Sequence, residues 1–224
     1  MSKKSIAMIP ARMGSQRLAK KNLRELAGIS LIVRAIRKCI DAKCFDEIWV
    51  NSEHEDFGPI AKAEGVYFHK RPNELGNNQA TSEQFITEFL EKHQCRSLYQ
   101  VHSIAPLLTV NDVASFVKYM EFSHYDCLLS TEEIQIECAF QNKPVNFRFT
   151  SKTNSQELEP IQRVSWSITG WRRDIFLRAV KSGQCATYSG KVGFYPISRL
   201  AAHVIKTEAD LEFAKVVLPL VEKS

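Results

Sequence analysis

Short apolar stretches alternate along this chain with amphipathic stretches of helical period. The predicted strands are residues 5–10, 48–50, 66–69, 98–101 and 127–130. The predicted helices are residues 31–42, 55–64, 81–94, 111–122, 172–182 and 207–218. Such alternation is typical of a parallel sheet covered by helices on both faces. It predicts a three-layer α/β/α sandwich around a mainly parallel, mixed sheet, with a ligand crevice at the carboxyl ends of the strands.

This alternation breaks down over residues 135–163. The segment contains Pro144, Pro160 and a polar run at residues 150–156, so we predict strands and loops added to the main sheet. No linker rich in proline, glycine or serine divides the chain, and its 224 residues with 44% hydrophobic content suffice for one sizeable core. We therefore expect residues 1–224 to form a single domain.

The composition argues against a membrane protein and against a zinc knuckle. No apolar run approaches the ~20 residues that span a bilayer, and no signal-peptide core follows the first residues. We therefore expect a cytoplasmic protein that does not contact a membrane. The six cysteines form no C-x-x-C pair, which favours reduced thiols in the core.

The net charge of +5 is modest, but one group of cations is dense. It follows the first predicted strand and consists of Arg12, Arg17, Lys20, Lys21 and Arg24. Gly14 in the same loop lets backbone N–H groups approach an anion, and the cations add charge-assisted hydrogen bonds. The loop lacks both G-x-G-x-x-G and G-x-x-x-x-G-K-[ST]. It predicts a small polyanion such as a nucleotide as the ligand, and no aromatic ladder suited to nucleic acid accompanies it.

Residues 11–23 carry the string A-R-x-G-S-x-R-L-x-x-K-N-L. It resembles the signature loop of the nucleotide-sugar cytidylyltransferases, which make CMP-sialic acid, CMP-legionaminic or CMP-pseudaminic acid and CMP-KDO from CTP and a sugar acid. Similar motifs continue at residues 27–36, 70–75, 105–109 and 207–211. The resemblance extends over most of the chain and is strongest in its first third.

The resemblance implies transfer of CMP from CTP to an acidic nonulosonic or octulosonic sugar, with release of pyrophosphate. Such reactions serve the synthesis of lipopolysaccharide or capsule. The resemblance also implies a Mg²⁺ ion at the triphosphate. In the family the irregular middle segment, about residues 135–165 here, reaches a second subunit, so a homodimer is implied as well.

Individual residues acquire roles from the same resemblance. Arg12, Lys21 and Lys206 would supply the catalytic charges. The nucleotide-binding positions are Ala11, Arg12, Gly14, Ser15, Lys21, Asn22, Arg71 and Ser82. The substrate-binding positions are His102, Gln162, Arg163 and Ser165. An arginine fork matches phosphate oxygens and a lysine supplies a mobile point charge, which suits the first of these sets.

Structural roles remain open for several of these positions. The loop cations could be rim charges, and Arg71 could form an ion pair with Glu74. Ser82 or its neighbour Thr81 could cap the helix that follows. A structural role is equally open for His102, and the sequence offers no Ser/His/Asp or Cys/His constellation.

The second half of the chain departs from the family pattern. The family's N-G-A-I-Y strand becomes S-W-S-I-T at residues 165–169, and its D-x-D before the last helix becomes Val204 and Lys206. In the family those aspartates bind the Mg²⁺, and a hard cation needs oxygen ligands. Three interpretations stay open. Asp210 or Glu208 carries the metal from a shifted register, Lys206 supplies the charge as a fixed ammonium, or the chain binds nucleotide without efficient turnover.

A complete phosphate loop is seldom retained without a ligand. We therefore rank a working transferase ahead of its rival, a non-catalytic homologue that binds a nucleotide or nucleotide-sugar. The predicted α/β architecture argues against a nucleic-acid-binding module.

Overall fold

A seven-stranded sheet runs through the centre of the molecule. The computed structural model describes residues 4–222. Its strands are β1 Ser5–Pro10, β2 Glu25–Leu26, β3 Ile29–Ser30, β4 Glu47–Ser52, β5 Tyr67–Lys70, β6 Ser97–Val101, β7 Cys127–Ile134, β8 Ala139–Phe140, β9 Lys143–Pro144, β10 Ile161–Arg172 and β11 Val192–Pro196. Its helices are α1 Leu31–Asp41, α2 Phe57–Ala63, α3 Ser82–Lys92, α4 Val110–Phe122, α5 Arg173–Lys181 and α6 Glu208–Val221.

The central sheet has the strand order β11-β7-β10-β6-β1-β4-β5. Ala7 of β1 pairs in parallel with Ile48 of β4 on one side and with Tyr99 of β6 on the other. Only β10 runs against its neighbours, β6 and β7. The carboxyl ends of the parallel strands therefore meet at one edge of the sheet. The predicted fold class, with a mainly parallel mixed sheet, is confirmed.

Helices cover both faces of this sheet. Side chains of β1 alternate between the faces, with Ala7 and Ile9 in the cluster under α1, α2 and α4, and with Ile6 and Met8 in the cluster under α3 and α5. All four side chains are fully buried. A strand that is apolar on both faces belongs at the centre of a covered parallel sheet, as β1 does.

A third apolar cluster joins α6 to the loop after β1. Leu18 of that loop and Leu26 of β2 pack with Leu211 and Leu218 of α6. Ile205, just before α6, is fully buried in the same cluster. This packing fixes the loop after β1 against the segment that precedes α6.

Three helices begin at reciprocal side-chain caps. Thr81, Thr109 and Thr207 precede α3, α4 and α6, and each accepts a hydrogen bond from the third helical N–H while that residue's side chain accepts from the threonine N–H. The cap of α3 is thus Thr81 rather than Ser82. Asp210 is the reciprocal partner in the cap of α6.

The structure differs from the predicted pattern in the second half of the sheet. β10 begins inside the stretch predicted as irregular, and its register shifts between Val164 and Thr169. β11 is absent from the predicted pattern because Gly193 and Pro196, both unusual in strands, occupy two of its positions. The rest of the irregular segment contains the β8–β9 hairpin, where Phe140 is exposed.

All six cysteines carry free thiols, but the prediction of thiols in the core holds for only three of them, since Cys44 and Cys138 are partly buried and Cys185 is exposed. Cys39, Cys95 and Cys127 are buried, and burial raises the pKa of each thiol to about 12. None of the helices found between residues 4 and 222 is long and apolar enough to cross a bilayer.

Candidate functional site

The loop that follows β1 crosses the carboxyl edge of the sheet. Ala11 is buried, and its N–H donates to the carbonyl of Asn51 on β4 over 2.9 Å. The Arg12 guanidinium donates to the side-chain oxygen of Asn78 over 3.0 Å. Gly14 is exposed, and a Cβ there would meet no atom of the chain within 4 Å. The loop is therefore anchored at the strand end and open to a ligand around Gly14.

Asn22 holds the base of this loop in place. Its side-chain N–H donates to the Arg12 carbonyl over 2.9 Å, and its side-chain oxygen accepts from the Ser103 hydroxyl over 2.7 Å. Asn22 is 5% exposed, so this amide orients the loop from inside the protein. Ser15 lies further out, and its N–H donates to the Met13 carbonyl over 3.0 Å. Ser103 carries no motif signal and emerges only from the fold.

Lys21 directs its charge toward the segment before α6. Its ammonium donates to the Ile205 carbonyl over 3.1 Å. Burial lowers the pKa of Lys21, and the charges of Arg17, Arg12 and Lys206 lower it further. Several cations therefore repel one another across one crevice, an arrangement that a bound polyanion would relieve.

Arg71 follows β5 and is only 3% exposed. Its guanidinium donates to a Glu53 carboxylate oxygen over 2.9 Å and to the Ala11 carbonyl over 3.2 Å. It also lies 4.7 Å from the centre of the Phe85 ring. Burial lowers the pKa of Arg71, and the Glu53 charge opposes that shift. The acidic partner is therefore Glu53 and not Glu74, the partner that the sequence suggested.

Glu53 couples Arg71 to the loop after β1. Its second oxygen accepts from the Met13 N–H over 2.8 Å. Its side chain lies so close to Gly76 that a Cβ at that position would collide with it. Sequence reasoning missed Glu53 because no motif marks it. The glycine that makes room for it lies 23 residues along the chain, at position 76.

The start of α3 lies across the crevice from the loop. Ser82 is the first residue of α3 and is exposed. The turn before it is closed by Asn77, whose side-chain oxygen accepts from the N–H groups of Gln79 and Ala80 over 2.7 and 2.8 Å. The bond from Arg12 to Asn78 in this turn joins the two sides of the crevice.

His102 follows β6 and is half-buried. Its backbone N–H donates to the Ser167 carbonyl of β10 over 3.1 Å. Burial lowers the pKa of His102 to about 4, and the charge of Lys21 acts in the same direction. The imidazole is therefore neutral near pH 7. A neutral ring with one donor and one acceptor nitrogen suits a hydroxyl-bearing substrate.

The other three predicted substrate positions lie on β10. The buried Ser165 hydroxyl lies 2.8 Å from the Ser130 hydroxyl of β7, and the two share a hydrogen bond. Arg163 donates through Nε to the Glu132 carboxylate over 3.0 Å. Gln162 is exposed. The protein thus provides partners for Ser165 and Arg163, whereas the Gln162 side chain faces solvent.

Trp166 is the unusual residue of this strand. It has a φ of 61°, in the left-handed region, where the family that the sequence resembles has glycine in N-G-A-I-Y. A left-handed backbone costs a residue with a side chain about 1–2 kcal/mol. The ring packs against the apolar cluster under α3 and α5, which offsets this cost. The strand next to His102 therefore contains a left-handed residue whose indole packs against the core.

A comparison with protein-family models gives one match over nearly the whole chain. The model, described as Cytidylyltransferase, matches residues 6–215. The chain belongs to the cytidylyltransferase family.

Similar proteins of established activity include two sialic-acid enzymes. The N-acylneuraminate cytidylyltransferase A of Danio rerio is 31% identical over 125 residues, which are 55% of this chain and 29% of that protein. The N-acylneuraminate cytidylyltransferase of Escherichia coli O18:K1:H7 is 31% identical over 132 residues, which are 58% of this chain and 32% of that protein. The match therefore spans about a third or less of each relative's length.

Solved structures share the fold at lower identity. The CMP:2-keto-3-deoxy-manno-octonic acid synthetase, solved in complex with CTP, has a TM-score of 0.71 and 16% identity, with 97% of this chain and 99% of that chain covered. The 4-diphosphocytidyl-2C-methyl-D-erythritol synthase of Anaerococcus prevotii has a TM-score of 0.70 and 12% identity over the same shares. At these identities the likeness establishes the fold.

A Mg²⁺ ion fits poorly with the side chains that this cytidylyltransferase places before α6. Val204 packs against the apolar core and Lys206 is exposed. One oxygen of Asp210 already accepts two backbone N–H groups at the α6 cap, over 2.9 and 2.7 Å, and Glu208 pairs with Arg24. Between residues 4 and 222, no group of three or more His, Cys, Asp or Glu side chains could hold a metal ion.

Proposed function

We propose that this cytidylyltransferase transfers CMP from CTP to the anomeric hydroxyl of an acidic nonulosonic or octulosonic sugar, with release of pyrophosphate. The observation that carries the proposal is the contact of the Lys21 ammonium with the Ile205 carbonyl, next to Lys206, at the carboxyl edge of the sheet. Besides burial, the charges of Arg12 and Lys206 help to lower the pKa of Lys21, in agreement with cations grouped at one crevice. The sialic-acid relatives support the choice of acceptor, and the CTP complex of the similar fold supports the choice of donor.

Arg12 and Lys21 grip the triphosphate in this proposal. Backbone N–H groups around Gly14 and Ser15 add hydrogen bonds, and Asn22 keeps the loop in position from below. In the same proposal, Ser82 at the exposed start of α3 and the buried Arg71 contact the rest of the nucleotide. In such in-line chemistry the protein mainly positions reactants and stabilises charge, so no protein nucleophile is needed.

The sugar acid binds toward β10 in this proposal. The neutral imidazole of His102 accepts a hydrogen bond from, or donates one to, a sugar hydroxyl. Gln162 and Ser165 contact the sugar, and Arg163 offers its charge to the sugar carboxylate in competition with Glu132. The anomeric hydroxyl attacks the α-phosphorus and gives up its proton to solvent, and the bond from phosphorus to the bridging oxygen breaks as pyrophosphate leaves.

Lys206 takes over part of the charge that a metal ion supplies in the resembled enzymes. Its ammonium is close enough to Lys21 to lower the pKa of that side chain. A fixed ammonium near the phosphates stabilises the negative charge that grows on the leaving group. We derive no step through a metal ion, because the side chains before α6 do not supply an oxygen-rich site.

The absence of carboxylates at positions 204 and 206 favours a second candidate function. With Val204 and Lys206 in place of two carboxylates, the chain would serve as a non-catalytic homologue that binds a nucleotide or a nucleotide-sugar. The two candidates differ in turnover and agree in nucleotide binding.

Pyrophosphate release with CTP and a panel of acidic sugars separates them. The panel contains N-acetylneuraminate, legionaminate, pseudaminate and KDO, each assayed with and without Mg²⁺. Release that depends on both CTP and one of these sugars supports the transferase. Binding of CTP or of a CMP-sugar by calorimetry with no release from any sugar supports the binding homologue, and absence of binding of both ligands contradicts both candidates.

A further inference from the structure

A second cleft lies at the opposite end of the sheet from the nucleotide crevice. It opens between the last turns of α4 and the edge strand β11, where β7 and β11 begin, and has a volume of about 670 Å³. Cavities of this size hold small organic ligands. None of the residues to which we assign a role in cytidylyl transfer lines it.

Aromatic rings form the walls of this cleft. The rings of Tyr119 and Tyr125 are nearly parallel, at 27° with centroids 6.3 Å apart, and the Tyr195 ring lies 5.1 Å from that of Tyr119. Phe122 at the end of α4 is 83% exposed. Gly193 of β11 makes room for Tyr125, since a Cβ there would lie 2.7 Å from the ring carbons. Exposed rings grouped in this way mark binding surfaces.

The charge at the cleft has one sign. Lys118 and Lys191 line it, and the Lys191 ammonium lies 5.3 Å from the centre of the Tyr125 ring. No acidic side chain occurs among its described lining residues. One neighbouring carboxylate, Asp126, accepts the Lys191 backbone N–H over 2.8 Å, and another, Asp112, is part of the α4 cap.

Hydroxyl groups and the ring of His124 also line the cleft. Ser115 and Ser123 lie in the cleft, and Tyr195 adds a phenol. Burial raises the pKa of Tyr195, and the charge of Asp112 acts in the same direction, so its hydroxyl keeps its proton and remains a donor. The cleft thus combines ring faces, hydrogen-bond donors and the positive charge of two lysines.

We propose that this cleft is a second ligand site, and that it binds the base and phosphate of a nucleoside monophosphate. The base stacks on the exposed aromatic faces, and the phosphate lies between Lys118 and Lys191. Stacking accounts for ring walls that a saturated sugar acid would leave largely unused, and the lysines account for the preference for an anion. The proposal does not depend on cytidylyl transfer at the other end of the sheet.

AMP is the probe, because it lacks the cytosine expected in the crevice. Calorimetry and saturation-transfer NMR on the full chain compare AMP with adenosine and with ribose 5-phosphate. We expect AMP to bind at least about tenfold more tightly than either fragment. Phe122→Ala should weaken AMP binding by about tenfold or more, since a stacked base contributes a factor in this range. Lys191→Gln should weaken it by about tenfold or more as well, since it removes a hydrogen bond between charged groups.

Two control variants locate the site. Lys215→Gln removes an exposed lysine of α6 that pairs with Glu212, and it should leave AMP affinity unchanged. Arg12→Ala should also leave AMP affinity unchanged, because Arg12 belongs to the crevice. Equal AMP binding by the original protein and by both cleft variants would overturn the proposal, as would loss of AMP binding in Arg12→Ala. A single-stranded octanucleotide that binds through the same residues far more tightly than AMP would identify a nucleic-acid site instead.

Discussion

The Lys21 ammonium lies 3.1 Å from the Ile205 carbonyl, and so the loop after β1 touches the segment that precedes α6. Ile205 stands between Val204 and Lys206, the two positions where the resembled enzymes have aspartates. The buried side chain of Ile205 fixes this contact by packing with α6. The ammonium groups of Lys21 and Lys206 therefore lie close enough for the charge of Lys206 to lower the pKa of Lys21, beside positions where the resembled family has aspartates.

The first prediction concerns the grip on the triphosphate. Arg12→Ala and Lys21→Ala should each weaken CTP binding by about 1.5–3 kcal/mol, the range for hydrogen bonds to charged groups. Calorimetry at fixed ionic strength measures the effect.

Lys20→Ala is the matched control for these variants. Lys20 is exposed on the same loop, and its loss should change CTP affinity much less. If Arg12→Ala and Lys21→Ala both fold and bind CTP as the original protein does, the loop is not the phosphate site.

The second prediction concerns the metal. Val204→Asp combined with Lys206→Asp should create or strengthen Mn²⁺ binding in the presence of CTP, because two carboxylates beside a triphosphate form an oxygen-rich site. Binding is measured by a Mn²⁺ titration in which the relaxation of water protons reports the bound ion. Turnover is measured by pyrophosphate release. We expect the original protein to depend on Mg²⁺ only weakly.

Lys206→Asp alone is the control, because it removes the ammonium but introduces only one carboxylate. Comparison with the double variant therefore shows the effect of the second carboxylate. Val204 packs against the core, so thermal unfolding of the double variant must accompany the titration. Fast turnover by the original protein with a strict Mg²⁺ requirement would contradict the ammonium interpretation. Asp210 or Glu208 would then be the first candidates for the ligand.

Strand β1 and the position of the loop that follows it were largely predictable because their information is local, whereas the role of that loop in nucleotide binding stays a prediction. Strand β1, its buried alternation and the cations after it lie within a single stretch of the sequence. The partner of Arg71 was not predictable in this way. Glu74 is near in sequence, but Glu53 reaches Arg71 because β4 and β5 are neighbours in the sheet and Gly76 leaves room for the carboxylate.

The second half of the sheet was harder to predict for a physical reason. β10 contains Trp166 in a left-handed conformation at a bulge. Neither the residue type nor the alternation of apolar and polar residues predicts such a conformation. The strained backbone conformation persists because the indole packs against the surrounding fold. Sequence alone therefore located Ser165 on a strand without showing how that strand bends beside His102.

The third prediction concerns assembly. Phe140, Val145 and Phe149 in the segment of residues 135–165 are 68%, 55% and 77% exposed. We expect them to be buried against a second copy in a two-fold homodimer. Light scattering at micromolar concentration should report a dimer, and Phe149→Asp should shift it toward the monomer. Lys62→Asp, on the exposed side of α2, serves as the control, and a monomeric original protein would contradict the prediction.

The fourth prediction concerns stability against pH and rests on Lys38 of α1. Its side chain is 9% exposed, and its ammonium donates to the carbonyls of Ala105 and Pro106 over 3.1 and 3.4 Å. Burial lowers the pKa of Lys38 from 10.5 to about 8. Between these values the unfolded chain binds more protons than the folded chain, so this group makes the free energy of unfolding rise with pH. The rise amounts to at most about 3 kcal/mol across the window.

Lys38→Met should abolish this contribution, because methionine does not titrate. Urea unfolding of both proteins in steps from about pH 7.5 to about pH 10.5 gives the difference between their stabilities at each pH, which removes the titration of all other groups. We expect the free energy of unfolding of the original protein to increase relative to that of Lys38→Met as the pH rises. Lys62→Met, at an exposed position on α2, should follow the original protein throughout. Parallel curves for the original protein and Lys38→Met would show that the buried amine keeps an ordinary pKa, and that its bonds to the two carbonyls fully compensate its burial.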